Sequence, residues 1–234
     1  MKLVKKLFAG LLTLVLLLTI IPSKFTVQAA TLKKTEEQLK ADIAKFSVTV
    51  TVNNQNQRFA IKKSDISKFN VRSTKYNKKK TQATVKSYIY INRDVATIKG
   101  NVTSVYKYKG KKWKLASVTY TKTSLYSFDP RGTWNGTYTA GQGETKITIE
   151  IPDVTADGFF IDGKVYFSAL PTNPTVPSGS FSLIGGYDLT SGKINFSGNQ
   201  WIEQPDGYSM INFDAYIDLV NKQITGTNQL VLKK

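Results

Sequence analysis

Four runs of alternating residue types fill residues 69–122 and constrain the fold more than any other feature of the chain. In each run β-branched and aromatic residues alternate with polar ones, and short polar or glycine-containing breaks separate the runs, as in strands joined by hairpins. Because successive strand side chains point to opposite faces, the pattern predicts one curved antiparallel sheet with an apolar inner face and an outer face of lysine and tyrosine. The runs cover residues 69–76, 81–91, 95–109 and 112–122.

The predicted outer face combines fixed positive charge, which concentrates polyanions, with tyrosine rings on which sugars or bases can lie. We therefore predict that it binds an anionic polymer such as teichoic acid or an acidic polysaccharide. A lysine-rich face could instead only keep the sheet soluble and its edges unpaired, and the sequence leaves both interpretations open. The candidate polyanion-binding residues are Arg72, Lys86, Tyr88, Tyr90, Lys99, Lys107, Lys109, Lys112, Lys114 and Lys122, and the same register turns Tyr76 and Tyr120 outward.

The first thirty residues have the pattern of a secretory signal. Three lysines precede an apolar run over residues 7–21, and small residues follow at 27–30. A membrane-spanning helix needs about twenty apolar residues, so the shorter run favours a signal peptide over residues 1–29, cleaved after Ala29. An uncleaved anchor is the alternative. We expect a secreted protein, with no transmembrane segment after cleavage, that charge could retain at the cell wall.

Composition divides the rest of the chain near residue 129. Residues 31–128 carry 22 Lys and Arg against five Asp and Glu, whereas residues 129–234 carry seven against eleven. The first segment has no proline and two glycines, and the second has six prolines and thirteen glycines. Such a step predicts two modules, and it also allows the acidic second module to dock on the basic first one.

The first module, residues 31–128, opens with Thr35-Glu36-Glu37-Gln38, which fits a capping box and predicts a short helix over residues 35–46. Residues 46–61 then predict a hairpin ahead of the basic sheet. A helix followed by a bent antiparallel meander resembles the cystatin-like or nuclear-transport-factor-like α+β roll, and residues 106–118 are similar to the last hairpin of such modules. The resemblance implies a pocket, an inhibitor or an interaction module and no specific activity.

The second module, residues 129–234, reads as β-structure throughout, with tight turns between its strands. Seven or eight neighbouring strands joined in this way favour a closed barrel, because closing the sheet pairs the hydrogen-bonding groups of its two edge strands. We predict an up-and-down antiparallel β-barrel, which makes the whole chain mainly β. Its strand runs are 132–139, 145–151, 159–170, 179–187, 193–202, 208–218 and 223–232.

Gly132-Thr133-Trp134 stands on the first strand of the predicted barrel. It matches the Gly-x-Trp with which calycin-like barrels, the lipocalins and avidin-like proteins, begin. By that resemblance Trp134 closes the barrel floor. The arginine that lipocalins place over this tryptophan is missing, since no arginine follows Arg131, and no ligand is inherited from the resemblance.

A second candidate site lies in residues 201–208, where two aromatic residues and two carboxylates surround one turn. Trp201, Glu203, Asp206 and Tyr208 could form the rim of a small-ligand site at the barrel mouth. In the alternative interpretation this is a hairpin turn in which Trp201 and Tyr208 face each other across the strand pair.

Missing residue types narrow the chemistry. The chain has no cysteine and no histidine, which excludes disulfides and thiol catalysis and argues against serine triads and zinc sites. We expect no metal, no cofactor and no catalytic residue. A glycoside hydrolase needs only two carboxylates, and Asp214 and Asp218 share one strand parity, so this enzyme class stays open as an alternative.

These observations predict a secreted, non-enzymatic binding protein. Its basic module would contact anionic cell-envelope polymers, and its barrel would bind a small ligand, a glycan or a protein. The competing prediction is a secreted inhibitor or interaction module in which both parts recognise only another protein.

Overall fold

A computed structural model describes residues 31–234, and the predicted signal peptide lies outside this range. Over the described residues the chain is mainly β, with one α-helix, a two-stranded hairpin, a four-stranded sheet and a closed eight-stranded barrel. No helix in this range is long and apolar enough to cross a bilayer.

The helix α1 (Glu36–Ile43) begins where the capping box predicted it. The Thr35 hydroxyl accepts a hydrogen bond from the Gln38 N–H at 3.3 Å, and the Gln38 side chain accepts one from the Thr35 N–H at 3.1 Å. The two bonds satisfy donors that a helix N-terminus leaves unpaired. The helix ends three residues before the predicted position, because Lys45 and Phe46 turn back with bonds to the carbonyls of Asp42 and Ile43.

Two antiparallel sheets complete the first module. The hairpin pairs β1 with β2, and the larger sheet has the order β3-β4-β5-β6, as the alternating runs predicted. A short 3₁₀ helix, Lys63–Asp65, connects the two sheets. The strands are β1 (Val48–Val52), β2 (Gln55–Phe59), β3 (Ile66–Tyr76), β4 (Gln82–Asn92), β5 (Ala96–Lys109) and β6 (Lys112–Phe128).

The helix and the hairpin cover the inner face of the four-stranded sheet. Ile89, Ile98 and Val102 are fully buried there with the apolar side of the helix. The Tyr106 hydroxyl donates to the Asp42 carboxylate at 3.1 Å, and lysines approach the same carboxylate. Burial raises the pKa of Asp42, but hydrogen bonds from Lys34, Lys45 and Tyr106 outweigh it and hold the pKa below its ordinary value.

The second module is the predicted up-and-down barrel, in which each strand pairs with the next and the last pairs with the first. The predicted run 223–232 forms two strands, because Asn228 and Gln229 adopt positive φ and the Leu230 N–H bonds back to the Thr227 carbonyl. The strands are β7 (Gly132–Ala140), β8 (Gly143–Ile151), β9 (Phe159–Ser168), β10 (Gly179–Asp188), β11 (Lys193–Glu203), β12 (Phe213–Asp218), β13 (Gln223–Gly226) and β14 (Val231–Lys233).

Closure of the barrel depends on a glycine. Leu232 of β14 pairs with Gly136 of β7, and a Cβ atom at position 136 would collide with the Val231 carbonyl. Only a residue without a side chain allows the first and last strands to approach this closely.

One end of the barrel holds the first module. Gln57 of β2 donates to the Ile217 carbonyl and accepts from the Leu219 N–H, and Asn53 donates to the Ser191 carbonyl. We call this region of contact the joint. It connects the hairpin to the turns that follow β10 and β12. It does not use the outer face of the four-stranded sheet.

Arg93, in the turn between β4 and β5, is the buried centre of this joint. Its guanidinium donates to the Leu219 carbonyl at 2.7 and 3.0 Å and to the Val220 carbonyl at 3.2 Å. It also lies 3.7 Å from the Asp65 carboxylate and over the Phe59 ring. Since the side chain is only 7% exposed, removal of the guanidinium would leave each partner without a charged donor that water cannot easily replace.

We expect Arg93→Ala to lower the free energy of unfolding by about 3 kcal/mol, because it leaves a carboxylate and two carbonyls without their donor. Urea unfolding followed by tryptophan fluorescence measures the loss. Arg58→Ala is the matched control, since Arg58 is exposed on β2. Equal stability of the two variants would contradict the assigned role of Arg93.

Candidate functional site: the cationic face and the barrel mouth

The cationic face, the outer side of the four-stranded sheet, follows from the pairing of its two central strands. β4 and β5 pair over eleven residues without a bulge, so alternate side chains point the same way along the whole pair. Ile89 and Ile91 are buried, while Lys86, Tyr88 and Tyr90 lie on the outer side. The register brings Lys99 opposite Tyr90 and Lys107 opposite Gln82 on that side.

A tyrosine ladder runs across the cationic face. The rings of Tyr88 and Tyr90 are 5.2 Å apart between centroids, and those of Tyr90 and Tyr126 are 4.6 Å apart, both edge to face. Arg72 lies 4.9 Å from the Tyr88 ring and Lys99 lies 5.5 Å from the Tyr126 ring. These cation–π contacts keep the tyrosine rings and the positive charges together on one surface.

Two members of the cationic face were missed by sequence reasoning. Lys68, whose ammonium lies 5.3 Å from the Tyr90 ring, precedes the predicted run 69–76 by one residue, and continuing the alternation of that run would have placed it on the outer face. Tyr126 lies beyond the predicted run 112–122, after β-bulges in β6 that shift the strand parity, so its only sequence signal was the excess of lysine and tyrosine.

At the far end of the sheet, lysines face lysines. Lys107 pairs directly with Lys114, and Lys109 pairs with Lys112. Like charges at directly opposed positions destabilise a sheet. Among residues 31–234, no salt bridge involves any of the candidate cations of this face. The described part of the chain therefore offers no carboxylate partner to these cations.

The structure corrects three outward assignments. In β6 an unpaired Ala116 reverses the parity, so Tyr120 pairs with Val102, turns inward and donates to the Ile43 carbonyl at 2.7 Å. Burial raises the pKa of Tyr120. A bulge in β3 likewise turns Tyr76 to the side of Trp113, with the ring centroids 6.0 Å apart. Lys122 is the extra residue of a second bulge in β6, exposed with positive φ, and is not part of the regular outer register.

The barrel mouth lies at the end opposite the joint. It holds a cavity of about 490 Å³ between the turn after β7 and the loop before β12. The lining residues are Tyr138, Ala140, Gly141, Gln142, Phe167, Phe181, Gly207, Tyr208, Ser209 and Ile211.

The four residues predicted for the mouth do not form one rim. Tyr208 lines the cavity, whereas Trp201 lies behind it, packed on Phe181 and Phe167. Glu203 is exposed and borders a groove on the outside of the barrel, and Asp206 is exposed in the turn outside the cavity lining. The hairpin alternative also differs from the structure, because β11 and β12 pair only from Lys193–Tyr216 to Phe196–Phe213, so Trp201 and Tyr208 do not face each other across the strand pair.

Trp134 lies at the opposite, closed end of the barrel, fully buried, and its indole N–H donates to the Pro130 carbonyl at 2.7 Å. The ammonium of Lys234 lies 5.4 Å from its ring centroid. Lys234, which follows the last strand, thus covers the tryptophan in a chain that has no arginine after Arg131. Phe128, at the end of β6, packs on the same ring and links this end to the first module.

Asp214 and Asp218 are the carboxylates that the sequence leaves open for a glycoside hydrolase. The structure places both on the outside of the barrel, where Asp214 forms an ion pair with Lys193 and Asp218 accepts hydrogen bonds from its own turn. Among the described residues, no group of three or more acidic side chains is arranged to hold a metal ion.

No protein-family model, no curated protein and no solved structure matches this chain.

We expect Tyr120→Phe to lower the free energy of unfolding by about 1 kcal/mol, because the inward hydroxyl loses its bond to the Ile43 carbonyl. Tyr90→Phe is the matched change on the outer face and should have an effect below about 0.5 kcal/mol. Urea unfolding compares the two variants. A larger loss for Tyr90→Phe would show that the faces have been assigned the wrong way round.

Proposed function

We propose that the protein is an exported, non-enzymatic binding protein that attaches to anionic envelope polymers through the cationic face. The observation that carries this proposal is a face of lysines around a tyrosine ladder, which the helix, the hairpin and the barrel all leave exposed and to which the described chain offers no carboxylate partner. Repulsion between opposed lysines lowers stability. An anionic polymer would relieve that repulsion and release its own counterions at the same time.

The tyrosine ladder makes this face different from a merely soluble surface. A surface that serves only solubility is best built from interspersed charges of both signs, without a large field of one sign. This face instead combines opposed lysines with neighbouring tyrosine rings. A polyanion such as teichoic acid or an acidic polysaccharide offers negative groups to the lysines and sugar or polyol units to the rings. The export signal expected in residues 1–29 would bring the protein to these polymers, with charge retaining it at the cell wall.

The barrel supplies the second part of the proposal, which is a small-ligand site at its mouth. The eight-stranded up-and-down closure and the covered Trp134 support a calycin-like relationship, and the N-terminal helix on a curved sheet supports a cystatin-like one. The cavity at the open end is of a size typical of small-molecule sites. Since the joint occupies the opposite end, the polymer and the ligand could be bound together.

Polymer binding should depend on the cationic face and on salt. We expect the triple variant Lys86→Gln, Lys99→Gln and Lys107→Gln to bind dextran sulfate and purified lipoteichoic acid more weakly. The slope of log affinity against log salt should fall by about 2, since each lost contact removes about 0.7 to 0.9 from the slope. Pull-down on polymer-coated beads at several salt concentrations measures both, with neutral dextran as the polymer control.

The matched control protein carries the same loss of charge on the barrel. Its substitutions are Lys146→Gln, Lys164→Gln and Lys233→Gln, all at exposed positions. The control should bind like the unmodified protein. Equal weakening of the two triple variants would assign binding to net charge alone, and affinity that is insensitive to salt would favour the alternative of a protein-recognition module.

A further inference from the structure

The mouth cavity has room for a short ligand only. Below it the barrel is filled by fully buried side chains, including Phe160, Phe196 and Trp134. Dense packing of this kind leaves no channel for an acyl chain or another long apolar tail. A ligand in the mouth is therefore compact and stays near the solvent.

The lining of the cavity is uncharged. None of its ten residues is Lys, Arg, Asp or Glu. An ionic ligand would lose hydration on entry without meeting a countercharge, and this penalty is large. The lining thus favours a neutral ligand, in contrast to the cationic face of the first module.

The polar atoms of the lining form a short network that has hydrogen-bonding capacity to spare. The Gln142 amide donates to the Tyr138 hydroxyl at 3.0 Å and to the Thr145 hydroxyl at 3.3 Å. Both N–H groups of the side-chain amide are thereby used, while the side-chain oxygen, Oε1, accepts no hydrogen bond from residues 31–234. A tyrosine hydroxyl is protonated at neutral pH, so that of Tyr138 can both donate and accept a hydrogen bond, and burial raises its pKa further.

The turn that carries Gln142 is held in place before any ligand arrives. Asn173, in the loop after β9, donates to the Gln142 backbone carbonyl at 2.7 Å and to the Glu144 carbonyl at 3.1 Å. A fixed donor and acceptor lose less entropy on binding than mobile ones do.

Flat aromatic rings form the remaining wall. Phe167 and Tyr208 are stacked with a 13° angle between the rings and centroids 5.8 Å apart, and Phe181 lies beside them in the lining. Rings of this kind can pack against the C–H groups of a sugar ring, while hydroxyl and amide groups bond to its hydroxyls.

We propose that the barrel mouth binds an uncharged mono- or disaccharide, with Tyr138 and Gln142 bonding to its hydroxyls and Tyr208 stacking on its ring. This inference rests on the small-ligand part of the proposed function and names the chemical class of the ligand. Because the mouth and the cationic face lie on different modules, one protein would hold a neutral sugar and an anionic polymer at two separate places.

Calorimetry and intrinsic tryptophan fluorescence measure binding. Of the three tryptophans, Trp201 is the one that packs against the wall residues Phe167 and Phe181. The probes are glucose, N-acetylglucosamine, maltose, cellobiose and N,N′-diacetylchitobiose, followed by an array of neutral glycans. Glucuronic acid serves as the charged comparison and a fatty acid as the apolar one. We expect saturable binding of at least one neutral saccharide and none of the two comparison ligands.

Tyr138→Phe and Gln142→Leu should each weaken saccharide binding about tenfold, the effect of one lost hydrogen bond in the site. Tyr216→Phe, on β12 outside the lining, is the matched control and should bind normally. Thermal unfolding of each variant confirms that it is folded. Salt-sensitive binding of dextran sulfate should survive in both mouth variants, so that failure of this inference is distinct from failure of the polymer proposal.

Three results would overturn the inference: no neutral glycan binds, the fatty acid or glucuronic acid binds instead, or both mouth variants bind a saccharide as tightly as the unmodified protein.

Discussion

The unbroken pairing of β4 with β5 is the constraint on which the first module depends. Eleven successive residue pairs keep one register, so every second side chain of both strands lies on the same side. One side supplies Ile89, Ile98 and Val102 to the core beneath the helix. The other side carries the charged residues and the tyrosines, which the apolar core could not accommodate. Slipping this register by one residue would bury lysines and expose isoleucines, which makes the arrangement strongly specified.

The joint explains how the cationic face stays exposed although the second module is acidic. Contacts between the modules run through the β1–β2 hairpin, the β4–β5 turn and Phe128 at the end of β6, with Arg93 buried among them. The hairpin and the turn meet backbone carbonyls at one end of the barrel, and only Lys222 with Asp94 forms an ion pair across the joint in the described chain. Backbone hydrogen bonds need geometric fit more than overall charge, so attraction between opposite charges does not draw the barrel onto the lysines.

Local patterns predicted much of this structure. The capping box at Thr35 fixed the start of the helix, and the alternating runs gave the four strands and the inner and outer sides of β4 and β5. The tight turns of the second module predicted closure of a barrel. Each of these features depends on residues that are neighbours in the chain or in a single strand pair.

Features that depend on distant residues were not predictable. The bulges at Ala116 and Lys122 are unpaired positions that appear only when β6 pairs with β5, so Tyr120 was assigned to the wrong face and Tyr126 was overlooked. Arg93 bonds to carbonyls 126 and 127 residues away. Trp201, Glu203, Asp206 and Tyr208 are close in sequence, but the strand and loop that carry them turn only Tyr208 into the cavity. The outer position of Asp214 and Asp218 also required the closed barrel.

The proposed function depends most on the attraction of polyanions to the cationic face. Nuclear magnetic resonance of the ¹⁵N-labelled protein, titrated with a short polyglycerol phosphate, tests this attraction at individual residues. We expect shifts of amide resonances concentrated in β3 to β6 around Lys86, Tyr90 and Lys99, which disappear at high salt, with the barrel resonances unchanged. Shifts spread evenly over both modules, shifts centred on the barrel mouth, or no shifts at low salt would contradict the proposed function.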